Sequence, residues 1–244
     1  MQKEDTSWFA SWFNSPYYHL LYKDRDYTEG GIFMQSLTAY LKLKQNAKIL
    51  DLACGKGRHS KFLATLGYRV TGADLSPLSI AEAKKSETKN LSFEIHDMCT
   101  PYPDKFDAIF NLFTSFGYFK TQEEHLSTLA HLYEGLKGNG TLVIDYMNVD
   151  YVLQNLVSKE TLMIDGIEFY IKRELSDGKI VKHIAFEVED GWHYHKEKVS
   201  ALRLDDFTKW LELVGFTLKE TFGNYDLQKF DSKTSPRLIL VAQK

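Results

Sequence analysis

The chain has 244 residues, long for one domain and short for two, so we expect one α/β domain that carries an insertion. The composition is 43% hydrophobic, which is enough for a sizeable core, and the net charge of −3 argues against binding to nucleic acid phosphates. No run of about 18 apolar residues occurs. Two cysteines are too few for a disulfide framework. We therefore expect a cytoplasmic protein that binds neither nucleic acid nor membrane.

Aromatic side chains are concentrated in the first thirty residues. Trp8, Trp12, Tyr18 and Tyr22 share one helical stripe, which Pro16 interrupts. The stripe is typical of a helix packed on a core. It also fits a lid over a ligand, because the segment precedes the main fold and its tyrosines have polar tips. A membrane-surface helix is disfavoured by the mixed local charges. We treat residues 1–30 as a lid segment, and packing on the core stays open.

Strands and helices alternate between residues 31 and 150. The predicted strands cover 48–52, 68–73, 91–95, 106–112 and 141–146. The predicted helices cover 31–41, 60–66, 77–85 and 123–136. Ser76 followed by Pro77 is a typical helix start, and glycines at 138 and 140 predict the end of the last helix. This alternation indicates βαβ units, and hence a parallel sheet with helices on both faces.

The pattern changes after the fifth strand. Asp-Gly pairs at 165–166, 177–178 and 190–191 separate β-rich runs, and Asp-Gly is a preferred pair for two-residue hairpin turns. We therefore predict a four-stranded antiparallel meander inserted over 151–202, which covers the substrate or forms a dimer. A helix over 205–214 and strands over 217–225 and 237–243 return the chain to the main fold, whose core is 31–150 with 203–244. An exposed meander edge would allow a homodimer.

A glycine loop, Asp51-Leu-Ala-Cys-Gly55-Lys-Gly57, follows the first strand. Glycines two apart allow a tight turn and a close approach to a ligand. A dinucleotide site would want a third glycine where Ser60 stands. Asp51 suits a ligand with a cationic amine better than a pyrophosphate. A tight turn that binds no ligand is the structural alternative.

Two more carboxylates are predicted at strand ends. Asp74 ends the second strand, where it can accept hydrogen bonds from ribose hydroxyls, although a nicotinamide enzyme would need the same acid. Asp97 ends the third strand, where it can accept from an adenine amino group with the Met98 amide near the ring. With Asp51, these residues lie at the carboxyl edge of a parallel sheet, where ligands bind in open α/β folds.

At these motifs the chain resembles the class I S-adenosylmethionine (SAM)-dependent methyltransferases, mainly over 31–148. The motifs are those at 49–57, 70–76, 96–98 and 106–113, with the two late strands. The resemblance implies SAM as cofactor and a seven-stranded sheet, Rossmann-like, with its last strand reversed. It also implies that the loop of Gly55 and Gly57 holds the methionine moiety, Asp74 the ribose and Asp97 the adenine. The expected cofactor-binding residues are Asp51, Ala53, Gly55, Gly57, Asp74, Leu75, Asp97, Met98, Asn111, Tyr22 and Arg25.

A narrower resemblance concerns the methyl acceptor. The segments at 18–25 and 113–118, with the meander, look like those of small-molecule N-methyltransferases of the amino-sugar type. In those enzymes a lid tyrosine and a polar ring residue after the fourth strand face the methyl group, and Tyr18 and Tyr118 match them by position. Tyr118 stands where histidine is often found. The expected catalytic residues are thus Tyr18, Tyr118 and His19, and His125 is a further candidate base.

The expected function is methyl transfer from SAM to a small-molecule acceptor. An amine acceptor needs only to arrive unprotonated, whereas a hydroxyl needs a base, and both stay open. The competing hypotheses are a nicotinamide-dependent oxidoreductase and a SAM-binding module without turnover. His193 and His195 share one strand face, but no third ligand with suitable spacing accompanies them, so we expect no metal.

Overall fold

The computed structural model describes residues 8–23 and 27–244. The strands of the main sheet are β1 (Lys48–Leu52), β2 (Arg69–Asp74), β3 (Leu91–Ile95), β4 (Phe106–Asn111), β5 (Leu136–Met147), β10 (Thr217–Phe222) and β11 (Arg237–Gln243). They form one seven-stranded sheet in the order β10-β11-β5-β4-β1-β2-β3. Neighbouring strands are parallel except at β11, which is antiparallel to both β5 and β10. The predicted Rossmann-like sheet with a reversed last strand is confirmed.

Helices cover both faces of this sheet. The described helices are α1 (Trp8–Phe13), α2 (Pro16–Leu21), α3 (Tyr27–Leu41), α4 (Arg58–Thr65), α5 (Pro77–Lys84), α6 (Gln122–Gly135), α7 (Val149–Gln154) and α8 (Leu204–Val214). Of these, α3, α4 and α5 pack on one face of the sheet and α6 and α8 on the other. Leu129 of α6 and Phe207 of α8 belong to the apolar cluster on one face. Leu37 of α3, Leu63 of α4 and Ile80 of α5 belong to the cluster on the other face. The α/β class is therefore confirmed.

The start of β5 differs from the prediction. The strand begins at Leu136, and its pairing with β4 shifts from Phe106↔Leu136 to Ala108↔Thr141. Glycines at 138 and 140 therefore lie within an irregular stretch of strand, because the preceding helix already ends at Gly135. The short helix α7 was not predicted.

The predicted meander is present as a separate antiparallel sheet. Its strands, in spatial order, are β6 (Lys159–Ile164), β7 (Ile167–Ser176), β8 (Lys179–Val188) and β9 (Gly191–Ser200). Its first two turns, at 165–166 and 177–178, have positive φ at both residues, as Asp-Gly predicts. The third prediction was wrong by one residue, because Val188 pairs with Gly191 and the turn is therefore 189–190. The predicted homodimer stays a prediction.

The aromatic side chains described between residues 12 and 22 pack mainly on the meander, while the side chain of Trp8 lies outside the described part of the chain. Ser15 caps α2 and accepts a hydrogen bond from the Tyr17 amide, and Pro16 is the first helical residue, so the proline begins a helix here. Trp12 and Leu21 are buried in a cluster with Phe169, Phe186 and other meander residues. Within 8–23 and 27–244, no helix is long and apolar enough to cross a membrane.

Candidate cofactor and acceptor site

A cavity of about 470 Å³ lies at the carboxyl edge of the parallel strands. This volume falls within the range of small-molecule sites. The cavity walls come from α1 and α2, the loop after β1, the ends of β2 and β3, and the loop after β4. The predicted site residues that line it are Tyr18, His19, Tyr22, Asp51, Ala53, Gly55, Asp74, Leu75, Asp97, Met98 and Tyr118. Arg25 lies outside the described residues.

The two loop glycines have different roles. Gly55 has φ +56, and a Cβ built on it would meet nothing within 4 Å, so its bare backbone faces the open cavity. Gly57 has φ +77 and precedes α4, and a Cβ there would lie 2.4 Å from the Phe93 ring. Gly57 is not among the lining residues. Its expected contact with the ligand stays a prediction; in this structure Gly57 allows α4 to pack closely on β3.

Asp51 is buried beside the loop and is held by Ser60. The Ser60 hydroxyl donates to Asp51 Oδ2 at 2.5 Å. Burial raises the pKa of Asp51 to about 6, although the hydrogen bond from Ser60 acts in the opposite direction. The close packing that a third loop glycine would allow comes instead from Gly72 on β2, where a Cβ would lie 2.8 Å from the Ser60 hydroxyl. The sequence analysis missed Gly72 because the glycine is on another strand.

Asp74 is tied to the loop by its two carboxylate oxygens. Oδ2 accepts from the Gly55 amide and Oδ1 from the Ser76 amide, each at 2.8 Å. Burial raises the pKa of Asp74, and these two backbone hydrogen bonds oppose the shift. Each oxygen can accept a second hydrogen bond, so the fixed carboxylate can receive a pair of hydroxyl donors.

Asp97 and Met98 form the cavity wall at the end of β3. Asp97 Oδ1 accepts from the Cys99 amide at 2.9 Å, and the Thr100 amide closes the turn on the Asp97 carbonyl at 2.9 Å. The turn fixes the carboxylate beside the Met98 backbone. This is the arrangement that recognition of an adenine edge needs.

Asn111 does not line the cavity. It is fully buried, and its side-chain amide donates to the Leu52 carbonyl at 3.2 Å. Its expected contact with the cofactor stays a prediction; in this structure Asn111 ties the end of β4 to the end of β1, from which the glycine loop starts.

The turn after β4 lies in the segment 113–118 that the resemblance singled out, but Phe113 and Thr114 were not among the expected site residues. Phe113 and Thr114 both line the cavity, with φ of +57° and +59°. The Phe113 ring stacks on His59 with centroids 4.7 Å apart and an interplanar angle of 6°. Asp145 accepts a hydrogen bond from the Phe113 amide at 2.8 Å, and Arg237 pairs with Asp145. The sequence signal that could have indicated this contact is Asp145, a charged residue within the apolar part of β5.

One wall of the cavity is aromatic. Phe13, Tyr18, Tyr22 and Tyr118 all line it. The Tyr18 ring lies 5.0 Å from Phe13 and 4.9 Å from Tyr22, and Phe13 lies 5.4 Å from Tyr118. Four neighbouring rings thus form one wall between the N-terminal helices and the turn after β4.

Tyr22 also joins the N-terminal helices to the meander. Its hydroxyl donates to Glu197 at 2.9 Å and accepts from Lys182 at 2.7 Å. Trp12 Nε1 donates to the same Glu197 at 2.7 Å. Burial raises the pKa of Tyr22 well above its usual value, and the negative charge of Glu197 is the second cause. This phenol therefore stays protonated.

The remaining candidate groups are not brought together. His19 lines the cavity. His125 is a buried residue of α6 that does not line it, and its Nδ1 lies 2.7 Å from the Thr121 carbonyl, so it is not placed to act as a base here. His193 and His195 stack with aromatic rings of the meander and α1. In the described part of the chain, no group of three or more His, Cys, Asp or Glu could hold a metal ion.

The donor set of the cavity fits SAM. Three carboxylates, Asp51, Asp74 and Asp97, follow one another along the ends of β1, β2 and β3, as an ammonium, a ribose and an adenine would require. The open space beside Gly55 leaves the backbone accessible where the methionine moiety would lie.

Comparisons with known proteins identify methyltransferases similar to this chain. Residues 49–140 match the family described as "Methyltransferase domain". The chain is 28% identical over 208 residues to the glycine/sarcosine N-methyltransferase of Aphanothece halophytica, covering 82% of this chain and 76% of that protein. The glycine N-methyltransferase of Rattus norvegicus is 32% identical over 123 residues, covering 43% of this chain and 42% of that protein.

Solved structures share the fold over nearly the whole chain. A SAM-dependent methyltransferase from Clostridium acetobutylicum matches with a TM-score of 0.78 and 22% identity, covering 93% of this chain and 95% of that chain. An amino pentose methyltransferase from Micromonospora echinaspora, solved with SAM bound, matches with a TM-score of 0.67 and 17% identity, covering 94% and 97%. Residues 49–140 carry a methyltransferase domain, the whole chain has the class I fold, and the named relatives support a SAM-dependent methyltransferase.

Proposed function

We propose that this methyltransferase acts on the nitrogen of a small amine enclosed between the N-terminal lid and the meander. The observation that carries this proposal is the aromatic wall of Phe13, Tyr18, Tyr22 and Tyr118. A cavity of about 470 Å³ that also accommodates a cofactor leaves room for a small acceptor only. Residues 1–30 then act as the lid, and 151–202 as the outer support of the acceptor pocket.

The aromatic wall favours an amine for electrostatic reasons. Methylation of a neutral amine leaves the positive charge on nitrogen, and the faces of tyrosine and phenylalanine rings attract such a cation. The same apolar surroundings disfavour protonation of the incoming amine, which keeps its lone pair available. A hydroxyl acceptor would instead need a base, and Tyr22 is unsuited to that role because its pKa is raised well above the usual value.

The chain's own residues bind and align the reactants. Asp51 would hold the ammonium of the methionine moiety, Asp74 the ribose hydroxyls and Asp97 the adenine amino group. Bound SAM supplies an electrophilic methyl group. Tyr18 and Tyr118 orient the acceptor and exclude water, and alignment of this kind provides about 7–11 kcal/mol in well-oriented systems.

The relatives support an amine acceptor. Similar proteins include several named glycine/sarcosine N-methyltransferases, and similar structures include a sugar N-methyltransferase and a glycopeptide N-methyltransferase. Their shared reaction is methyl transfer to nitrogen, on acceptors that differ widely in size. An aromatic wall suits methyl transfer to nitrogen in this chain, and the residues beside the wall would select the acceptor.

The test is a panel of acceptors with S-adenosylhomocysteine production as the readout. We expect turnover with one or more amines from a set containing glycine, sarcosine and amino sugars, and none with the corresponding hydroxyl compounds. Tyr118→Ala should reduce turnover about 100-fold through lost alignment. His19→Asn should retain most activity, because an amine needs no base. Turnover confined to hydroxyl compounds, with loss of activity in His19→Asn, would overturn the proposal in favour of O-methylation.

A further inference from the structure

The turn at Phe113 and Thr114 has an unusual backbone. Both residues have φ near +60°, in the left-handed region, and neither is glycine. Residues with side chains adopt this conformation only when their surroundings enforce it, and such residues cluster at functional sites. Leu112 and Ser115 on either side also line the cavity, so the whole turn forms part of its wall.

Asp145 binds both amides of this turn. Its carboxylate Oδ2 accepts from the Phe113 amide at 2.8 Å, and its backbone carbonyl accepts from the Thr114 amide at 2.9 Å. Asp145 lies on β5 and has no exposed surface. One buried residue therefore fixes two successive backbone groups, which is what a left-handed pair needs to persist.

Arg237 on β11 completes the arrangement. Its Nε lies 2.8 Å and its Nη2 2.7 Å from Asp145 Oδ1, and the same Nη2 donates to Thr114 Oγ1 at 3.0 Å. The Tyr225 hydroxyl donates to Asp145 Oδ2 at 3.2 Å, and its ring lies 5.3 Å from Phe113. The Arg237 guanidinium thus neutralises the charge of the buried Asp145 carboxylate and also fixes the Thr114 side chain by a hydrogen bond.

We infer that Asp145 and Arg237 are positioning residues for the turn at Phe113 and Thr114, which leads to Tyr118 of the aromatic wall. Neither lines the cavity, so they act through Phe113 and Thr114 and do not touch the reactants. The cofactor contacts expected at Asp51, Asp74 and Asp97 lie on other strands, so the pair controls acceptor alignment more than cofactor binding. Only the assignment of the turn to the acceptor rests on the proposed function.

Asp107 provides a matched control. Its carboxylate also accepts one backbone amide, that of Lys48 at 2.7 Å, and pairs with one cation, Lys137, at 2.8 Å. It lies near the opposite end of β4 from the turn. Asp107→Asn therefore makes the same chemical change without touching the cavity.

The first measurement is hydrogen–deuterium exchange of the intact protein, read from the segment 111–118. The affinity of the same variants for S-adenosylhomocysteine is measured by calorimetry. Asp145→Asn and Arg237→Lys should speed exchange of the turn amides about 10-fold or more, since each weakens charge-assisted hydrogen bonds. Affinity for S-adenosylhomocysteine should stay within about threefold. Arg237→Lys keeps the charge and Thr114→Val removes only the accepting hydroxyl, so both serve if Asp145→Asn does not fold.

The second measurement uses the best amine from the panel. The same variants should lower kcat/KM for the acceptor by about 10- to 100-fold, the effect of a small misplacement, while Asp107→Asn stays near the wild type. If the turn amides of these variants exchange no faster than those of Asp107→Asn, the inference is overturned. It is also overturned if the variants lose affinity for S-adenosylhomocysteine by the same factor as they lose kcat/KM. If no amine is methylated, the proposed function fails, and the exchange rates still decide whether Asp145 and Arg237 hold the turn.

Discussion

Cofactor binding should depend on pH through Asp51. Burial raises the pKa of this carboxyl from 3.8 to about 6, against the effect of the Ser60 hydrogen bond. The nearby Asp74 charge raises it further and the Arg58 charge lowers it. An ammonium group placed beside Asp51 favours the ionised carboxylate, so binding below pH 6 must first remove a proton.

The expected magnitude follows from the shift. Below the raised pKa, affinity for S-adenosylhomocysteine should fall by roughly tenfold per pH unit, which makes binding about 10-fold weaker at pH 5 than at pH 7.5. The same shift affects stability with the opposite sign. A carboxyl whose pKa is raised on folding adds about 3 kcal/mol to the free energy of unfolding below pH 4. This stabilisation is lost as the pH rises to about 6.

Calorimetry at pH 5, 6 and 7.5, in buffers of different ionisation enthalpy, measures both the affinity and the protons released. Wild type should release nearly one proton at pH 5 and almost none at pH 7.5. Asp51→Asn should bind more weakly and lose most of this dependence, which separates Asp51 from the cavity histidines. Ser60→Ala should move the transition to higher pH. Equal affinity of the wild type at pH 5 and 7.5 would refute the reasoning.

Three further outcomes are expected. Asp74→Ala should weaken S-adenosylhomocysteine binding about 100-fold by calorimetry, because two hydroxyls lose a charged acceptor; a change below threefold would contradict the ribose assignment. Gly57→Ala should lower the free energy of unfolding by about 2 kcal/mol in a urea titration, since φ is +77 and the Cβ meets Phe93, and an unchanged midpoint would contradict this. Glu197→Gln should loosen the contact with Trp12 and increase acrylamide quenching of tryptophan fluorescence; equal quenching would show that the contact is dispensable.

The sequence predicted the parts of the fold that depend on neighbouring residues. The strand at 48–52 and the capped helix after Ser76 agree with the structure, because strand periodicity and capping are local properties. The glycines at 138 and 140 were interpreted as a helix end, but they lie within β5. These glycines are in a strand because the segment pairs with β4. Such pairing joins residues far apart in the chain, so a local pattern does not predict it.

The candidate site divides in the same way. Asp51, Asp74 and Asp97 could be placed because each follows a strand that the pattern identifies, and all three line the cavity. Asp145 and Arg237 could not be placed, since they are 92 residues apart and meet only through the antiparallel pairing of β11 with β5. No periodicity connects such residues, so side-chain contacts of this type require coordinates.

The contact between the N-terminal helices and the meander has a consequence for how selectivity can change. Trp12 and Leu21 pack on meander residues, and Trp12 and Tyr22 share Glu197. The two segments that we propose to enclose the acceptor therefore form one structural module built from distant parts of the chain, while the strand ends proposed to hold the cofactor form another. Exchange of both segments together between related enzymes would transfer acceptor preference as a unit, whereas exchange of either alone would leave a buried tryptophan and a carboxylate without their partners.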